Sequence, residues 1–479
     1  MSFKAFRLSL IVLAATSLPA LAATTQSDAD SLRDVLKTYL GPLTDQIKIQ
    51  PMDDGYKATV DFSPLLAMAK QNGVDASLSA IEFTAKPAGG NNWKIHQEGD
   101  LILAAKFTGG YINEKFTGLT QDITLDLDQG LVTSYESNAK TTVVDEQLPD
   151  KSGRTIKVNV IADGIKLKST TKANPEGGSD TIYSEALGAW TLNEHIEDAG
   201  GPIDIAAKST GGTVNGNIIG LKGRPLLDIL KFGIAHIKQK PTAADQGELK
   251  AALTAALPLF KSTSSTGSVT KVEVTSPIGN ISAAKIGYLL NANGLVKDGA
   301  FEEGISVEGL VIPPGVVPLW STSLVPASAG LDFKITGFDL AGWSKGMIDA
   351  ADFTKSDVVA EDVMAKLVTG ILPTGAATIS LVSSSVANST YNLSADGTFT
   401  AGMEAQPTGK STVKLSGIDA IMKIVSAAPP EAGLKDATAV MILAKGLGKT
   451  GADGSITWDI EATADGQILV NGTDVKKLK

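Results

Sequence analysis

The chain has 479 residues, no cysteine and a formal net charge of -10 at pH 7. The absence of cysteine excludes disulfide bonds and thiol chemistry, and the acidic balance argues against nucleic acid or an anionic membrane surface as a partner held by charge. With 43% hydrophobic residues the chain is long enough for two or more cores, and its 49 glycines predict many strands joined by tight turns.

The N-terminus has the three parts of a secretory signal. Lys4 and Arg7 precede the apolar run Leu8–Ala15, and the small-residue sequence Ala20–Ala22 follows it. The pattern predicts cleavage before Ala23, because the apolar run is shorter than the roughly 20 residues that span a bilayer. Retention of the segment as an anchor is the alternative. We therefore expect a periplasmic protein, with the cell surface or the extracellular medium as alternatives.

Short amphipathic helices are predicted where apolar residues recur at helical spacing. Several of these stretches begin with a cap residue or with proline in the first turn. Val359, Val363 and Leu367 give one of them an apolar face that can pack on a sheet. The predicted helices are Ser31–Leu40, Pro64–Gln71, Pro225–Lys238, Gln246–Leu257, Ser356–Leu372, Ile418–Ala427 and Leu434–Leu447.

Alternation of apolar and polar residues predicts strands that bury one face and expose the other. It is clearest in Leu119–Leu127, Thr155–Val160, Ile165–Thr170, Ser268–Thr275 and Thr378–Val386. The sequence Ala-Asp-Gly, which suits hairpin turns with positive φ angles, recurs at Ala162–Gly164, Ala395–Gly397, Ala452–Gly454 and Ala464–Gly466. The predicted fold class is α+β and β-dominated, with extended antiparallel sheets or meanders and short amphipathic helices.

The last residues, Ser455–Lys479, predict a hairpin with a short third segment. Ile456–Thr463 alternates, Asp465-Gly466 makes the first turn, and Gln467–Val470 continues as a strand. A second turn is predicted at Asn471-Gly472, because Asn-Gly also accepts positive φ angles.

A weak internal repeat of strand, glycine turn and helix is one interpretation of the junctions at Ile219–Leu230, Ile335–Trp343 and Leu415–Met422, with Val60–Ala67 as a looser member. The alternative is that any junction between a strand and a helix needs a turn glycine. The predicted organisation is a signal peptide at residues 1–22, a β-rich domain at 23–240, a linker with a helix at 241–267 and a second β-rich domain at 268–479. Ser262–Gly267 is predicted as a loop.

Membrane spans and metal sites find little support in the sequence. The most apolar later segment, Ile305–Val325, contains three prolines and Glu308, so it predicts strand and loop rather than a span. The three histidines, His96, His195 and His236, have no second histidine at ligand spacing. His195 lies in an acidic stretch that could hold a metal loosely, and His236 belongs to a predicted helix. No metal or other cofactor is predicted.

Catalytic motifs fail for identifiable reasons. Gly446–Thr450 ends like a phosphate-binding loop, but Leu443 stands where the first glycine is required. No Gly-x-Ser-x-Gly sequence supports a serine nucleophile. The carboxylate pairs Asp53-Asp54, Glu302-Glu303 and Glu361-Asp362 could serve a glycosidase, although solvated surface charge explains them more simply. The sequence therefore predicts no enzyme and no catalytic residues.

The C-terminal part resembles exported proteobacterial cell-envelope proteins of unknown function that are loosely AsmA-like. The resemblance rests on Leu393–Phe399, Leu415–Asp419 and Trp458–Glu461, together with the turns at Asp465-Gly466 and Asn471-Gly472. It implies long repetitive sheets with short helices, and an N-terminal anchor that the predicted cleavage would remove. It implies no catalytic residues.

The leading functional hypothesis is a non-enzymatic periplasmic protein that binds a lipid or another amphiphile or supports envelope maintenance. An amphipathic sheet that curls can shield acyl chains, which contributes about 25 cal/mol per Å² of apolar surface removed from water. The alternative is a structural or adhesive surface scaffold, and the third hypothesis is an exported hydrolase.

Overall fold

The fold was obtained as a computed structural model, which describes residues 25–478 except 28, 31–32, 34–36, 38–40, 91, 127–130, 151, 199, 237–240, 356, 403–405 and 435. Strands dominate, every observed pairing is antiparallel, and short helices connect some of them. The predicted α+β, β-dominated class is thus confirmed. The chain forms two compact units, a first unit of Met1–Thr263 with Ser344–Ala365 and a second unit of Ser264–Trp343 with Lys366–Lys479.

The first unit contains an antiparallel meander. Its strands are β1 (Ile47–Met52), β2 (Gly55–Val60), β3 (Asp75–Leu78), β4 (Ile81–Pro87), β5 (Asn92–Phe107), β6 (Gly110–Asp126), β7 (Leu131–Pro149), β8 (Thr155–Ala173), β9 (Ser179–Leu187), β10 (Trp190–Ile196), β11 (Ile203–Ser209) and β12 (Gly211–Leu221). Strands β1, β2, β4, β5, β6, β7 and β8 pair in that order, and β3 adds to β5. β9 and β10 pair with the two halves of β8, β12 pairs with β9, and β11 pairs with β10.

Glycines stand where the residue pairing of β6, β7 and β8 skips positions in the middle of the strands, a region named the kink below. Gly164 lies inside β8 with φ +68°, and Gly188 lies between β9 and β10. A Cβ atom on Gly188 would stand 1.6 Å from the carbonyl oxygen of Asp163. A Cβ on Gly211, whose φ is +119°, would stand 2.4 Å from the carbonyl oxygen of Leu187. Only glycine permits this close approach of neighbouring backbones.

The main hydrophobic core lies at the N-terminal end of the meander. Tyr56 of β2 and Leu125 of β6 are each 1% exposed, and Trp93 of β5 is 4% exposed. The rings of Tyr56 and Trp93 are 5.9 Å apart, and Phe62 and Phe83 pack against the edges of the cluster. Cross-strand pairing explains the arrangement, because Trp93 stands opposite Leu125 on the same face of the sheet.

Helices α1 (Ser63–Gln71), α2 (Gly223–Ala235) and α3 (Ala243–Ala256) belong to the first unit and confirm three of the predicted helices. Thr242 caps α3 and forms a reciprocal capping box with Asp245. Phe232 of α2 is buried, and His236 stacks on it with ring centroids 4.1 Å apart. All three helices are short, and α1 and α2 are amphipathic, as the spacing of their apolar residues predicts, whereas the apolar residues of α3 are not confined to one face.

The second unit contains another antiparallel meander, and β13 (Ser262–Ser276) precedes it. Its strands are β14 (Gly279–Asn293), β15 (Gly299–Glu308), β16 (Ser328–Phe338), β17 (Ala376–Ala387), β18 (Asn392–Gly402), β19 (Thr408–Ser416), β20 (Lys449–Thr450), β21 (Ile456–Ala462), β22 (Ile468–Val470) and β23 (Thr473–Asp474). Strands β14, β15, β16, β17, β18, β19, β21, β22 and β23 pair in that order, and β20 adds to β21.

The remaining helices are α4 (Leu340–Ala350), α5 (Glu361–Gly370), α6 (Ile418–Ser426) and α7 (Ala437–Leu447), and short 3-10 helices occupy Gly41–Gln46, Leu319–Leu324, Pro430–Ala432 and Val475–Leu478. The predicted helices at Ile418–Ala427 and Leu434–Leu447 are confirmed. No helix within the described residues is long and apolar enough to cross a membrane.

Glycines with positive φ angles occupy each of the three strand-to-helix junctions of the proposed repeat. Gly220, Gly337 and Gly417 have φ angles of +68°, +88° and +81°. Each ends or follows a strand, and α2, α4 or α6 begins within three residues. The left-handed conformation turns the chain out of the sheet, which explains why glycine stands at these positions.

Several predictions about turns and boundaries were wrong. Ala162–Gly164 and Ala395–Gly397 lie inside β8 and β18, because Gly164 forms part of the kink and Gly397 pairs with Ser411. Ala452–Gly454 and Ala464–Gly466 do form turns. The predicted loop Ser262–Gly267 is the beginning of β13.

The predicted helix Ser356–Leu372 was too long, because residues 357–359 form bends, α5 begins at Glu361 and it ends at Gly370. Ser356 itself lies outside the described residues. The predicted strands fall in β6, β8, β13 and β17, except for Leu127 at the end of the first, which lies outside the described residues. Thr155–Val160 and Ile165–Thr170 are two halves of β8. The C-terminal hairpin and its short third segment, β21 to β23, are confirmed. The signal peptide at residues 1–22 and most of Ser31–Leu40 lie outside the described residues.

Candidate functional site

An apolar groove of about 450 Å³ lies on the sheet of the second unit. Strands β14 to β18 each contribute to its wall, so the groove runs across the strands. Pockets for small molecules commonly have volumes of about 300 to 1,000 Å³ and mainly apolar walls. The hydrophobic side chains that line it are Ile286, Ile305, Val307, Ala329, Leu331, Val386, Leu393 and Ala395.

Strand register places these side chains on one face of the sheet. Ile286 stands opposite Val307, which stands opposite Ala329 on the next strand. Ala329 is in turn opposite Val386, and Val386 is opposite Leu393. Opposed residues of antiparallel strands lie on the same face, and alternate residues along each strand share that face. The alternation in the sequence therefore builds a continuous apolar row over five strands.

The side chains of the groove are largely open to solvent. Ile305 is 60% exposed, Leu331 is 49% exposed and Ile286 is 36% exposed. Ile305 and Leu331 are opposed residues on neighbouring strands, so their exposed surfaces are continuous. An exposed apolar row of this kind, in a concave surface, is typical of a ligand groove or an interaction site.

Helix α7 covers the same face of the sheet farther along, at β21. The indole nitrogen of Trp458 donates a hydrogen bond of 2.7 Å to the carbonyl oxygen of Ala444 in α7. Trp458 stands opposite Val413 of β19, and Ile456, the first residue of β21, is 1% exposed. This part of the face is packed, whereas the groove at β14 to β18 is open.

The reverse face of these strands is polar and contains one unusual carboxyl group. The backbone nitrogen of Asp332 donates to the hydroxyl of Ser384 at 3.3 Å, and the buried Oδ1 of Asp332 has no hydrogen-bond partner among the described residues. Burial raises the pKa of Asp332, and the negative charge of nearby Glu302 raises this pKa further. Asp332 belongs to the wall behind the groove rather than to its lining.

The three histidines lie on different elements, β5, β10 and the end of α2, and each of them contacts an aspartate. The Nδ1 atom of His96 lies 2.8 Å from Asp122 on the neighbouring strand, and the Nδ1 atom of His195 lies 2.7 Å from Asp204. The Nε2 atom of His236 lies 3.3 Å from Asp245. Within the described part of the chain, no three metal-ligating side chains gather into a site that could hold a metal ion.

The residues of the phosphate-loop lookalike occupy the end of a helix and the beginning of a strand. Gly446 lies in the last turn of α7, and Lys449 and Thr450 form β20. This order is the reverse of the strand, loop and helix that hold a phosphate. The amine of Lys449 lies 2.7 Å from the carboxylate of Asp459, so it serves as an ion-pair partner on the surface.

The three carboxylate pairs lie in a turn, a strand and a helix. Asp54 lies in the turn after β1 and forms a 2.7 Å ion pair with Lys86. Glu302 and Glu303 point to opposite faces of β15, because successive residues of a strand do so. Glu361 and Asp362 lie in the first turn of α5, where acidic residues favour the positive end of the helix dipole.

The groove was not predicted from the sequence as a site. Its signal was present in the alternation of Ile286, Tyr288 and Leu290 and in the opposed alternation of Ile305 and Val307. The sequence does not predict the strand register that aligns these residues. It also does not predict that this face of the sheet is exposed to solvent.

No protein-family model, no curated protein and no solved structure matches the chain. The resemblance to AsmA-like envelope proteins therefore stays a prediction.

Proposed function

We propose that this is a non-enzymatic periplasmic cell-envelope protein that binds a lipid or another amphiphile in the groove of the second unit. One observation carries the proposal, namely the exposed apolar row of Ile286, Ile305 and Leu331 in a concave surface of about 450 Å³. The secretory-signal pattern of residues 1–22 supports the periplasmic address.

Burial of an alkyl chain supplies the binding free energy in this proposal. Each methylene group removed from water contributes about 0.8 kcal/mol. A chain lying along the groove would also cover Ile305 and Leu331, whose exposure is unfavourable in the free protein. The proposal includes no catalytic step, and the groove requires no charged group to hold the chain.

The first experiment is native mass spectrometry of the mature protein purified gently from periplasm, followed by organic extraction. We expect a stoichiometric amphiphile. Calorimetric titration with 1-decanol then tests the groove directly. Ile305→Asn should weaken this binding about 10-fold, because it replaces apolar wall with an amide, and a 10-fold change corresponds to 1.4 kcal/mol.

Ile278→Asn is the matched control, because Ile278 is 66% exposed in the same unit but lies in the turn between β13 and β14, outside the groove. It should leave the affinity for 1-decanol unchanged. A mass without ligand, together with no 1-decanol binding, would contradict the proposal and favour a structural scaffold.

A further inference from the structure

Charge is strongly segregated between the two faces of the sheet that carries the groove. On the described residues of β14 to β19, the charged side chains lie on the face opposite to the groove, with the exception of Glu303. The register shows this directly, because Lys285 is opposed to Glu308 and Glu302 to Lys334 on the reverse face. The charged residues of the reverse face are Lys285, Glu302, Glu308, Asp332, Lys334, Asp396, Lys410 and Lys414.

Glu303 lies on the groove face, two residues from Ile305 on the same strand, which is about 7 Å along the strand. Its neighbours across the sheet are Leu290 on β14 and Phe333 on β16. Glu303 is exposed, and the side chains opposed to it are apolar. A single carboxylate therefore stands at the edge of an apolar groove whose face carries no basic residue among the described residues of these strands.

The first unit shows the same asymmetry independently. Glu114, Glu146, Glu185 and Glu194 lie on the apolar face of its meander, each opposed to hydrophobic residues such as Val144, Val158 or Val214. The described lysines of β5 to β12 lie on the reverse face, apart from Lys140 at the kink. Burial raises the pKa of Glu185, as expected for a carboxyl group on an apolar surface.

We propose that the groove selects an amphiphile whose head group carries an ammonium cation, with the alkyl chain along the groove and the head group at Glu303. This inference rests on the proposed function. An ammonium group has three donors and forms short, charge-assisted hydrogen bonds with a carboxylate. An anionic head group at the same place meets a like charge, and no lysine or arginine on the described groove face of β14 to β19 offsets it.

Three decyl probes with different head groups test the proposal by calorimetric titration of the mature protein at pH 7 and about 0.15 M salt, where charges beyond about 8 Å are largely screened. The probes are decylammonium and decyl sulfate, used below their micellar concentrations, and 1-decanol, used below its solubility limit. We expect decylammonium to bind at least about 10-fold more tightly than decyl sulfate, with 1-decanol between them.

Glu303→Gln should abolish the difference in affinity between decylammonium and decyl sulfate, and it should leave the affinity for 1-decanol unchanged. Glu302→Gln is the matched control, because it removes the same charge from the adjacent residue but on the reverse face. It should keep the preference for decylammonium, so that an effect of the protein's net charge is separated from an effect of position.

The outcomes distinguish the inference from the proposed function. Binding of 1-decanol without a preference between the charged probes, or equal effects of the two glutamate variants, overturns the inference and leaves amphiphile binding intact. Failure of every probe to bind overturns both, and a concentration-dependent dimer in the same samples would then identify a second copy of the chain as the cover of the groove.

Discussion

The two units differ in what covers the apolar face of their strands. In the first unit, Tyr56, Trp93 and Leu125 are almost completely buried. In the second unit, Ile305 and Leu331 stay about half exposed on neighbouring strands of its meander. Alternating sequences built both surfaces, so alternation predicts an apolar face but not whether the fold covers it.

Local packing explains the difference. In the first unit, Phe62 before α1 and Phe83 in β4 both pack against the two clusters of buried residues. In the second unit, α7 covers the face only near Trp458, through the hydrogen bond to Ala444. The uncovered part coincides with the groove. The site is therefore the portion of the sheet that the described helices of the chain leave open.

The largest expected effect is on the free energy of unfolding, when one buried leucine of the first unit and one exposed leucine of the second unit are each replaced by alanine. Leu125→Ala should cost about 2 to 5 kcal/mol of unfolding free energy, because Leu125 is 1% exposed and its truncation leaves a cavity. Leu331→Ala should cost less than about 1 kcal/mol, because Leu331 is 49% exposed. Urea denaturation followed by circular dichroism measures both. Similar losses for the two variants would mean that the groove is filled in the folded protein.

A second, smaller change in stability is expected when a glycine at the kink of the first unit is replaced. Gly188→Ala should destabilise by about 1 to 3 kcal/mol, because its Cβ would stand 1.6 Å from the carbonyl oxygen of Asp163 and the strands must separate. Gly247→Ala in α3 is the control, since nothing lies within 4 Å of its Cβ position. It should stabilise by up to about 1 kcal/mol. Thermal unfolding distinguishes the signs, and a neutral Gly188→Ala would show that the kink can relax.

The smallest effect concerns Glu185 on the apolar face of the first unit. Burial raises its pKa above the ordinary value of 4.5, so the folded state holds that proton more tightly than the unfolded state. Stability therefore falls as the pH rises from 4.5 through the folded-state pKa. Glu185→Gln should raise the melting temperature at pH 7 and have no such effect below pH 4.5.

Glu136→Gln, on the reverse face of β7, serves as the control for loss of one negative charge. If both glutamine variants change the melting temperature equally at pH 7, burial at Glu185 is not the cause.

The sequence predicted element types better than their ends. α1 begins one residue before its predicted start, and the C-terminal hairpin turns at Asp465-Gly466 as its turn residues require. Two Ala-Asp-Gly sequences misled because glycine also occurs inside long strands, as Gly164 does with a positive φ angle and Gly397 does opposite Ser411. Local sequence does not distinguish a turn glycine from a glycine within a strand. The neighbouring strands decide between them.

The site was less predictable than the fold. Apolar alternation in Ile305 and Val307 is visible in the sequence, but the opposition of Ile305 to Leu331 depends on the register of two strands separated by a long loop. The different faces of Glu302 and Glu303 follow from the alternation once β15 is recognised. Which of the two glutamates lies beside a groove follows only from the three-dimensional structure.

The order of strand pairing has a consequence for how the chain can fold. Many strands of both meanders pair with the next strand in the sequence across a short connection, for example β5 with β6, β6 with β7 and β17 with β18. Each of these additions closes a short loop, at a small entropic cost, against an edge that already exists. A chain emerging from the ribosome can extend the sheet hairpin by hairpin, and the open edge at each stage is taken by the segment synthesised next.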